Sequence, residues 1–216
     1  MHYSVQNLIN IKNKLKETNQ SYHSIKIIAV SKTFPFEKIS PLIDYGHLDF
    51  GENKVQEAIE KWSKIKLEKK EINLHLIGKL QTNKVKFAVK IFDYIHSLDS
   101  LRLAKKIAQE EIKQGKKIKI FIQVNLANEE QKSGIPLNQL DELYNYSLSL
   151  NLNIIGLMCI PPELEDPKNY FIQLKKLNDK LRLNELSMGM SADFMKAADN
   201  KATFIRIGSK IFGSRS

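Results

Sequence analysis

Two hydrophobic rhythms alternate along the chain. Short apolar runs, β-branched and free of Gly and Pro, read as strands buried on both faces. Between them apolar residues recur every three or four positions, the spacing of amphipathic helices. The first such run, Ile27–Val30, sits inside Ile25–Thr33 (IKIIAVSKT) and closes on Lys32. Ahead of it, Val5, Leu8, Ile9, Ile11 and Leu15 predict an opening helix over 4–19. Behind it the pattern predicts a helix over 36–45 started by Pro35, a strand over 47–51, and a charged helix over 52–70 with Val55, Ile59 and Trp62 on one face. A strand over 74–78, a helix over 83–92 and a strand over 94–98 follow. The helix over 101–114 has Asp99 or Ser100 as its cap and Gly115 as its stop, and a strand over 118–126 comes next.

The second half keeps the rhythm. Helices are predicted over 137–150, 170–181 and 191–198, the last with Ser191 as cap, and a closing helical turn over 209–212. Strands are predicted over 154–160, stopped by Pro161-Pro162, over 186–188 and over 204–207. Eight strands alternating with helices demand a parallel sheet. Eight units suggest closure into one (β/α)8 TIM-type barrel with an extra N-terminal helix, a single domain over 1–216. An open doubly wound sheet is the alternative, but it normally carries a glycine-rich loop after its first strand. Here that loop reads Ser31-Lys32-Thr33.

Composition narrows the class. With 216 residues, 42% of them hydrophobic, the chain can bury one substantial core. No apolar run approaches the ~20 residues of a membrane helix, so no membrane partner is expected. The N-terminus lacks a basic segment followed by an apolar one, the mark of a secretory signal. The lone cysteine, Cys159, sits in an apolar strand as a small core residue, which fits a reducing cytoplasm. The net charge of +10 raises the question of nucleic acid. Only four of the 34 basic residues are arginines, however, and the lysines spread over almost every helix without interleaved aromatics. They read as solvated helix faces, and no nucleic-acid partner is expected.

Candidate chemistry gathers at the strand ends that form the active rim of such a barrel. Lys32 follows the first strand, Glu52 and Asn53 the second, Lys79 and Gln81 the third, Asp99 the fourth and Asn125 the fifth. Ser191 follows the seventh, and Arg206, Gly208 and Ser209 lie on or after the eighth. A strand-end lysine can simply reach for water. In an apolar collar its pKa would instead fall from ~10.4, and a neutral amine attacks aldehydes to form a Schiff base. The Met188–Ser191 and Arg206–Ser209 loops combine glycine and serine where barrels often hold phosphate. Arg206, inside a strand, needs an acceptor. A lysine imine, an arginine facing a ring nitrogen and a phosphate cup together describe pyridoxal 5′-phosphate. The five histidines show no ligand spacing, so no metal is expected, and no nucleotide-loop or hydrolase-elbow motif occurs. His75, in LHLIG, reads more readily as a packed strand histidine than as a catalyst.

Several longer segments carry a family resemblance: 29–33 (AVSKT), 50–57 (FGENKVQE), 75–84 (HLIGKLQTNK), 97–100 (SLDS), 123–134 (QVNLANEEQKSG), 156–162 (GLMCIPP), 186–193 (LSMGMSAD) and 206–215 (RIGSKIFGSR). Through them the chain resembles the YggS/PROSC family, the pyridoxal phosphate homeostasis proteins. Residues 1–24 are covered only loosely. The resemblance implies a barrel like the N-terminal domain of alanine racemase, with pyridoxal 5′-phosphate as a Schiff base on Lys32. It implies that Ser191, Gly208 and Ser209 hold the phosphate, that Arg206 faces the pyridine nitrogen and that Asn53 lies beside the ring. Two positions depart from the family: Ser209 stands where Thr is common, and Lys210 where a small residue is usual.

The function so implied is a cytoplasmic, monomeric carrier of the cofactor. It would support pyridoxal phosphate homeostasis and amino-acid and keto-acid balance without robust catalysis, with apo-enzymes as possible recipients. The alternative is a pyridoxal-phosphate-dependent amino-acid racemase. In alanine racemases one face of the substrate is served by a tyrosine from an additional C-terminal domain. The present sequence stops at Ser216, just after its eighth strand, and its seven tyrosines all precede residue 171.

Overall fold

The computed structural model describes residues 1–18, 25–129 and 132–214. Among these, the barrel strands are β1 (Lys26–Val30), β2 (Asp49–Glu52), β3 (Asn73–Leu76), β4 (Tyr94–Leu98), β5 (Lys119–Asn125), β6 (Asn153–Met158), β7 (Glu185–Met190) and β8 (Phe204–Ile207). Each pairs in parallel with the next, and β8 returns to β1, so the sheet closes. A two-residue strand, Ile135–Pro136, lies along β5 as a side branch. The helices are α1 (Tyr3–Thr18), α2 (Phe36–Asp44), α3 (Val55–Glu68), α4 (Val85–Ile91), α5 (Leu101–Gln114), α6 (Leu140–Ser149), α7 (Lys168–Lys180), α8 (Phe194–Asp199) and α9 (Ser209–Phe212). This is the expected (β/α)8 TIM-type barrel, with α1 as the extra helix. None of the described helices is long and apolar enough to cross a membrane.

The continuous apolar runs are explained by two cores. Outward-facing strand residues such as Leu74, Leu76, Ile95, Ile120, Ile122, Ile205 and Ile207 pack with Trp62, Phe171 and Phe194 of the helices, all buried. Each such side chain contributes ~1.5–3 kcal/mol on burial. Inside the barrel a smaller cluster, Ile28, Tyr94, Phe121, Met158 and Phe204, shares the space with the buried polar groups His75, His96, Gln123, Ser187 and Arg206. The wide outer core holds the fold, and the narrow inner one is where polar chemistry enters.

Local signals account for several boundaries. The Ser100 hydroxyl accepts from the Leu103 N–H at 3.3 Å, and Gly115 ends α5 at φ 60°, a left-handed stop that favours glycine. The opening helix buries Val5, Leu8, Ile11 and Leu15. It also reaches α9 through polar bonds: Tyr3 Oη donates to the Phe212 carbonyl at 3.1 Å and Asn7 Nδ2 to that of Ile211 at 3.0 Å. Carbonyls at a helix end otherwise lack partners, so α1 steadies the closing turn.

Two expectations are corrected. Glu52 is not the start of a helix at the rim. It ends β2 with its side chain fully buried, and α3 begins at Val55. Ser191 is not a helix cap. β7 runs on to Met190, Asp193 Oδ1 accepts the Met190 N–H at 2.5 Å, and α8 starts only at Phe194. The turn so formed leaves the Ser191 hydroxyl for another partner. Cys159 falls one residue beyond β6 and is buried, and burial pushes its thiol up to about 12, as expected of a core residue.

Gly156 of β6 shows how tightly the barrel closes. A Cβ there would lie 1.9 Å from the Glu185 carbonyl oxygen of β7. Backbone cannot yield as a flexible side chain does, so Gly156→Ala is expected to cost ~1–3 kcal/mol or more, the range for overpacking. Urea unfolding of the variant checks this, and an unchanged midpoint would contradict the close approach.

Candidate functional site

The first strand delivers Lys32 onto a loop that the neighbouring strand and helix clamp from behind. Ser31, fully buried, donates its hydroxyl to Glu52 Oε1 at 2.7 Å. Trp62 Nε1 donates to the same oxygen at 3.0 Å, and Lys61 Nζ reaches it at 3.0 Å. Lys61 also donates to the Ser31 carbonyl at 2.9 Å and pairs with Glu57 at 3.1 Å. Glu57 in turn accepts the Thr33 N–H at 2.5 Å. Burial raises the Glu57 carboxyl, but the Thr33 N–H and Lys61 outweigh it and hold the group below the usual carboxylate range. Thr33 itself sits at φ 66°, a left-handed conformation that costs a non-glycine residue energy. The residues on both sides of Lys32 are therefore fixed by side chains of β2 and α3.

The loops after β7 and β8 meet opposite Lys32. Ser191 Oγ accepts from the Gly208 N–H at 3.3 Å and the Lys210 N–H at 3.5 Å. Gly189, at φ 89°, makes the turn possible, since a Cβ there would fall 2.5 Å from that of Ala197. Lys210, the unusual residue, is exposed and turns its ammonium over the Phe194 ring, 5.1 Å from the centroid. After β2, Asn53 is held against the loop that follows β3: a Cβ on Gly78 would lie 2.4 Å from the Asn53 carbonyl oxygen, so only glycine permits the approach.

Arg206 is 4% exposed. Its guanidinium donates to Ser187 Oγ at 2.7 Å and to the Cys159 carbonyl at 2.9 Å, and among the described residues it makes no ion pair. Burial lowers its pKa, yet a guanidinium stays protonated at any ordinary pH.

These residues surround one cavity of about 560 Å³. Its lining includes Lys32, Asn53, Ser191, Arg206, Gly208 and Ser209 together with Val30, Phe34, Ile77, Ile160, Glu163 and Met190. That volume suits a small molecule or cofactor. An amine, a guanidinium and a cluster of hydroxyl and backbone N–H donors fit an aldehyde, a ring nitrogen and a phosphate, so the donor set fits pyridoxal 5′-phosphate. The other rim residues fall elsewhere. Lys79 and Asn125 line an adjoining cavity of about 300 Å³ with Gln123 and Lys132, while Gln81 is exposed outside both. Burial raises the Asp99 carboxyl, which lies outside both linings. Sequence reasoning missed Glu163, a carboxylate on the cavity wall, because Pro161-Pro162 before it read only as the end of a strand. Among the described residues no tyrosine lines the cavity.

Known proteins of similar sequence and fold identify the family. Residues 6–216 match the family described as alanine racemase, N-terminal domain. The chain is 41% identical over 200 residues to the pyridoxal phosphate homeostasis protein of Aquifex aeolicus, covering 88% of this chain and 87% of that one. It is 34% identical over 229 residues to the protein of the same name from Escherichia coli, covering 100% and 98%. PipY of Synechococcus elongatus, solved with PLP bound, superposes with a TM-score of 0.85 at 34% identity, covering 97% of this chain and 100% of PipY. An alanine racemase from Clostridium difficile shares the fold at a TM-score of 0.73 and 16% identity, with 99% of this chain spanning 57% of that one. The chain belongs to the family of pyridoxal phosphate homeostasis proteins, built on the alanine racemase N-terminal barrel.

Proposed function

We propose that this protein binds pyridoxal 5′-phosphate as a Schiff base on Lys32 and carries it as part of intracellular cofactor homeostasis, without robust catalysis of its own. The observation that carries the reading is that Lys32, Arg206 and the Ser191, Gly208 and Ser209 donors share one cavity of about 560 Å³. Lys32 supplies the amine, and its clamped neighbours keep it aimed at the cavity. Ser191, Gly208 and Ser209 hold the phosphate, Arg206 faces the pyridine nitrogen and Asn53 lies beside the ring. When bound, the cofactor supplies an electrophilic aldehyde and an electron-accepting ring. Residues 1–216 act in this reading as one cofactor-binding domain, cytoplasmic and monomeric. Through apo-enzymes that receive the cofactor, the protein influences amino-acid and keto-acid balance.

Two features of the site argue against turnover. Facing the ring nitrogen, Arg206 would donate to it and keep it unprotonated, which would weaken the ring as an electron sink. Racemisation also needs a second acid–base group on the face away from Lys32. A positioned general acid or base contributes ~10²–10⁴ in rate; no tyrosine among the described residues lines the cavity, and Glu163 is the one carboxylate on its described wall.

Adding pyridoxal 5′-phosphate is expected to produce a visible band that borohydride removes. Replacing Ser191 and Ser209 together by alanine is expected to weaken retention by ~1.5–3 kcal/mol for each lost bond to the charged phosphate. Dialysis of loaded protein measures this, with Lys69→Ala/Lys70→Ala as a surface control. Equal retention by the Ser191/Ser209 variant and the parent would move the phosphate elsewhere.

Incubating loaded protein with single enantiomers of several amino acids, and following chirality, is expected to show no sustained racemisation. Multi-turnover racemisation that disappears in Lys32→Ala would replace the carrier reading with the enzyme one.

A further inference from the structure

Beneath the cavity, a line of hydrogen bonds crosses the barrel interior from Arg206 to the opposite mouth. Arg206 Nη1 donates to Ser187 Oγ at 2.7 Å. Ser187 Oγ lies 2.8 Å from His96 Nδ1. His96 Nε2 lies 3.0 Å from His75 Nδ1, and His75 Nε2 lies 3.0 Å from Asp49 Oδ1. Ser187 and both imidazoles are buried, while Asp49, at the N-terminal end of β2, has a side chain 17% exposed. Four strands, β8, β7, β4 and β3, hand the line on to β2. Stacking fixes the ring planes: His75 lies on Tyr94, with centroids 4.2 Å apart, and His96 on Phe121 at 4.4 Å.

The Asp49 end assigns every proton along the line. A guanidinium can only donate, so Ser187 Oγ accepts from Arg206 and has one hydrogen to give. An ionised carboxylate can only accept, so His75 Nε2 carries a hydrogen. A neutral His75 then offers Nδ1 as acceptor, so His96 Nε2 carries one too. A neutral His96 offers Nδ1, which takes the Ser187 hydroxyl hydrogen. The Asp49 end fixes this assignment and the Arg206 end is compatible with it, so every bond points from Arg206 towards Asp49. The opposite polarity would set two acceptors face to face at Asp49 and His75.

The charged surroundings fit these protonation states. Burial keeps His75 below the ordinary histidine pKa although Asp49 and Asp93 oppose it, with Lys26 adding to the lowering. Burial, His75 and Arg206 hold His96 well below it. Burial raises Asp49, but the bond from His75 and the charges of His47 and Lys26 outweigh that and keep it below the usual carboxylate range. His47, from the segment before β2, donates its Nε2–H to the Asp49 backbone carbonyl at 2.9 Å, and Lys119 of β5 reaches the Tyr94 hydroxyl at 3.1 Å.

We propose that Asp49, His75, His96 and Ser187 form one directed relay that positions the Arg206 guanidinium and carries the field of the Asp49 carboxylate across the barrel to the cofactor. They are positioning residues, none of which lines the cavity. The inference rests on the reading above, that Arg206 faces the ring nitrogen. With its hydrogen given to His96, Ser187 Oγ turns a lone pair to Arg206 Nη1. Asp193 is the carboxylate that acts on Arg206 through space, and Asp49 is thus a second, remote carboxylate coupled through hydrogen bonds to a guanidinium that makes no ion pair among the described residues.

The test has a cofactor-free arm and a loaded arm. Long-range ¹⁵N–¹H spectra of the histidine-labelled protein without cofactor are expected to show His75 and His96 both neutral and both as the Nε2–H tautomer. In Asp49→Asn the side-chain amide can donate as well as accept, so both rings are expected to gain the Nδ1–H form, although His96 does not touch residue 49. A wild-type Nδ1–H or protonated His96, or a His96 unmoved while His75 changes, overturns the relay. Should the variant not fold, the wild-type tautomers decide alone. In loaded protein, Asp49→Asn is expected to shift the pH midpoint of the visible band downwards, because losing a negative charge and reversing the dipoles both make the cavity more positive. That shift is expected to be clearly smaller in a Ser187→Ala background, where only the through-space loss of charge remains. An equal shift in both backgrounds means a field acting directly through space and rejects the relay. The expected tautomers in a protein that forms no band with pyridoxal 5′-phosphate leave the relay standing and remove the cofactor reading.

Discussion

A guanidinium held inside a closed barrel constrains everything near it. Arg206 cannot lose its proton and is 4% exposed, so its donors must be met from within. A purely aliphatic interior could not meet them, and an uncompensated buried charge costs several kcal/mol. The barrel answers with a carbonyl from the end of β6 and the Ser187 hydroxyl from β7. The histidines behind that hydroxyl are then required in turn, since a serine that accepts from Arg206 still has a hydrogen to place. The polar inner core thus follows step by step from one cation. The apolar outer core between strands and helices is left to stabilise the fold.

A second buried charge does comparable work on the other side of the site. Glu52 Oε1 gathers the Ser31 hydroxyl, the Trp62 indole and the Lys61 ammonium, and Lys61 extends to the Ser31 carbonyl and Glu57. The loop that presents Lys32 is thereby tied to β2 and α3 at Ser31 and Thr33. A reactive amine gains most from such preorganisation, because a bound ligand then pays less of the ordering entropy. Both supports lie behind the cavity wall, so the wall itself is free to present donors to a ligand.

The sequence makes the frame legible where burial is uniform. The runs at Ile27–Val30, Ile118–Leu126 and Ile154–Ile160 are apolar because both faces of a parallel strand are covered, and the strands lie where the runs are. Ser100 and Gly115 mark the ends of α5 because their bonds are local. Strand ends that point to one rim named eleven candidate residues, and the six that the family resemblance singled out among them line one cavity. What could not be read depended on partners far along the chain. Glu52 looked like a helix start, since Ser31, 21 residues away, is what buries it. Ser191 looked like a cap, since Gly208, 17 residues on, is what takes its hydroxyl. His75 read correctly as a packed strand histidine, but its contact with His96 joins two strands and follows no spacing.

The central claim is that the cofactor sits on Lys32 and nowhere else among thirty or so basic side chains, most of them exposed. Borohydride reduction of protein loaded with pyridoxal 5′-phosphate at equal stoichiometry, followed by peptide mapping by mass spectrometry, measures this directly. The expected result is a single pyridoxyl group on the peptide containing Lys32. A group on Lys79 or Lys132 of the adjoining cavity, or labels scattered over surface lysines with Lys32 unmodified, would contradict it.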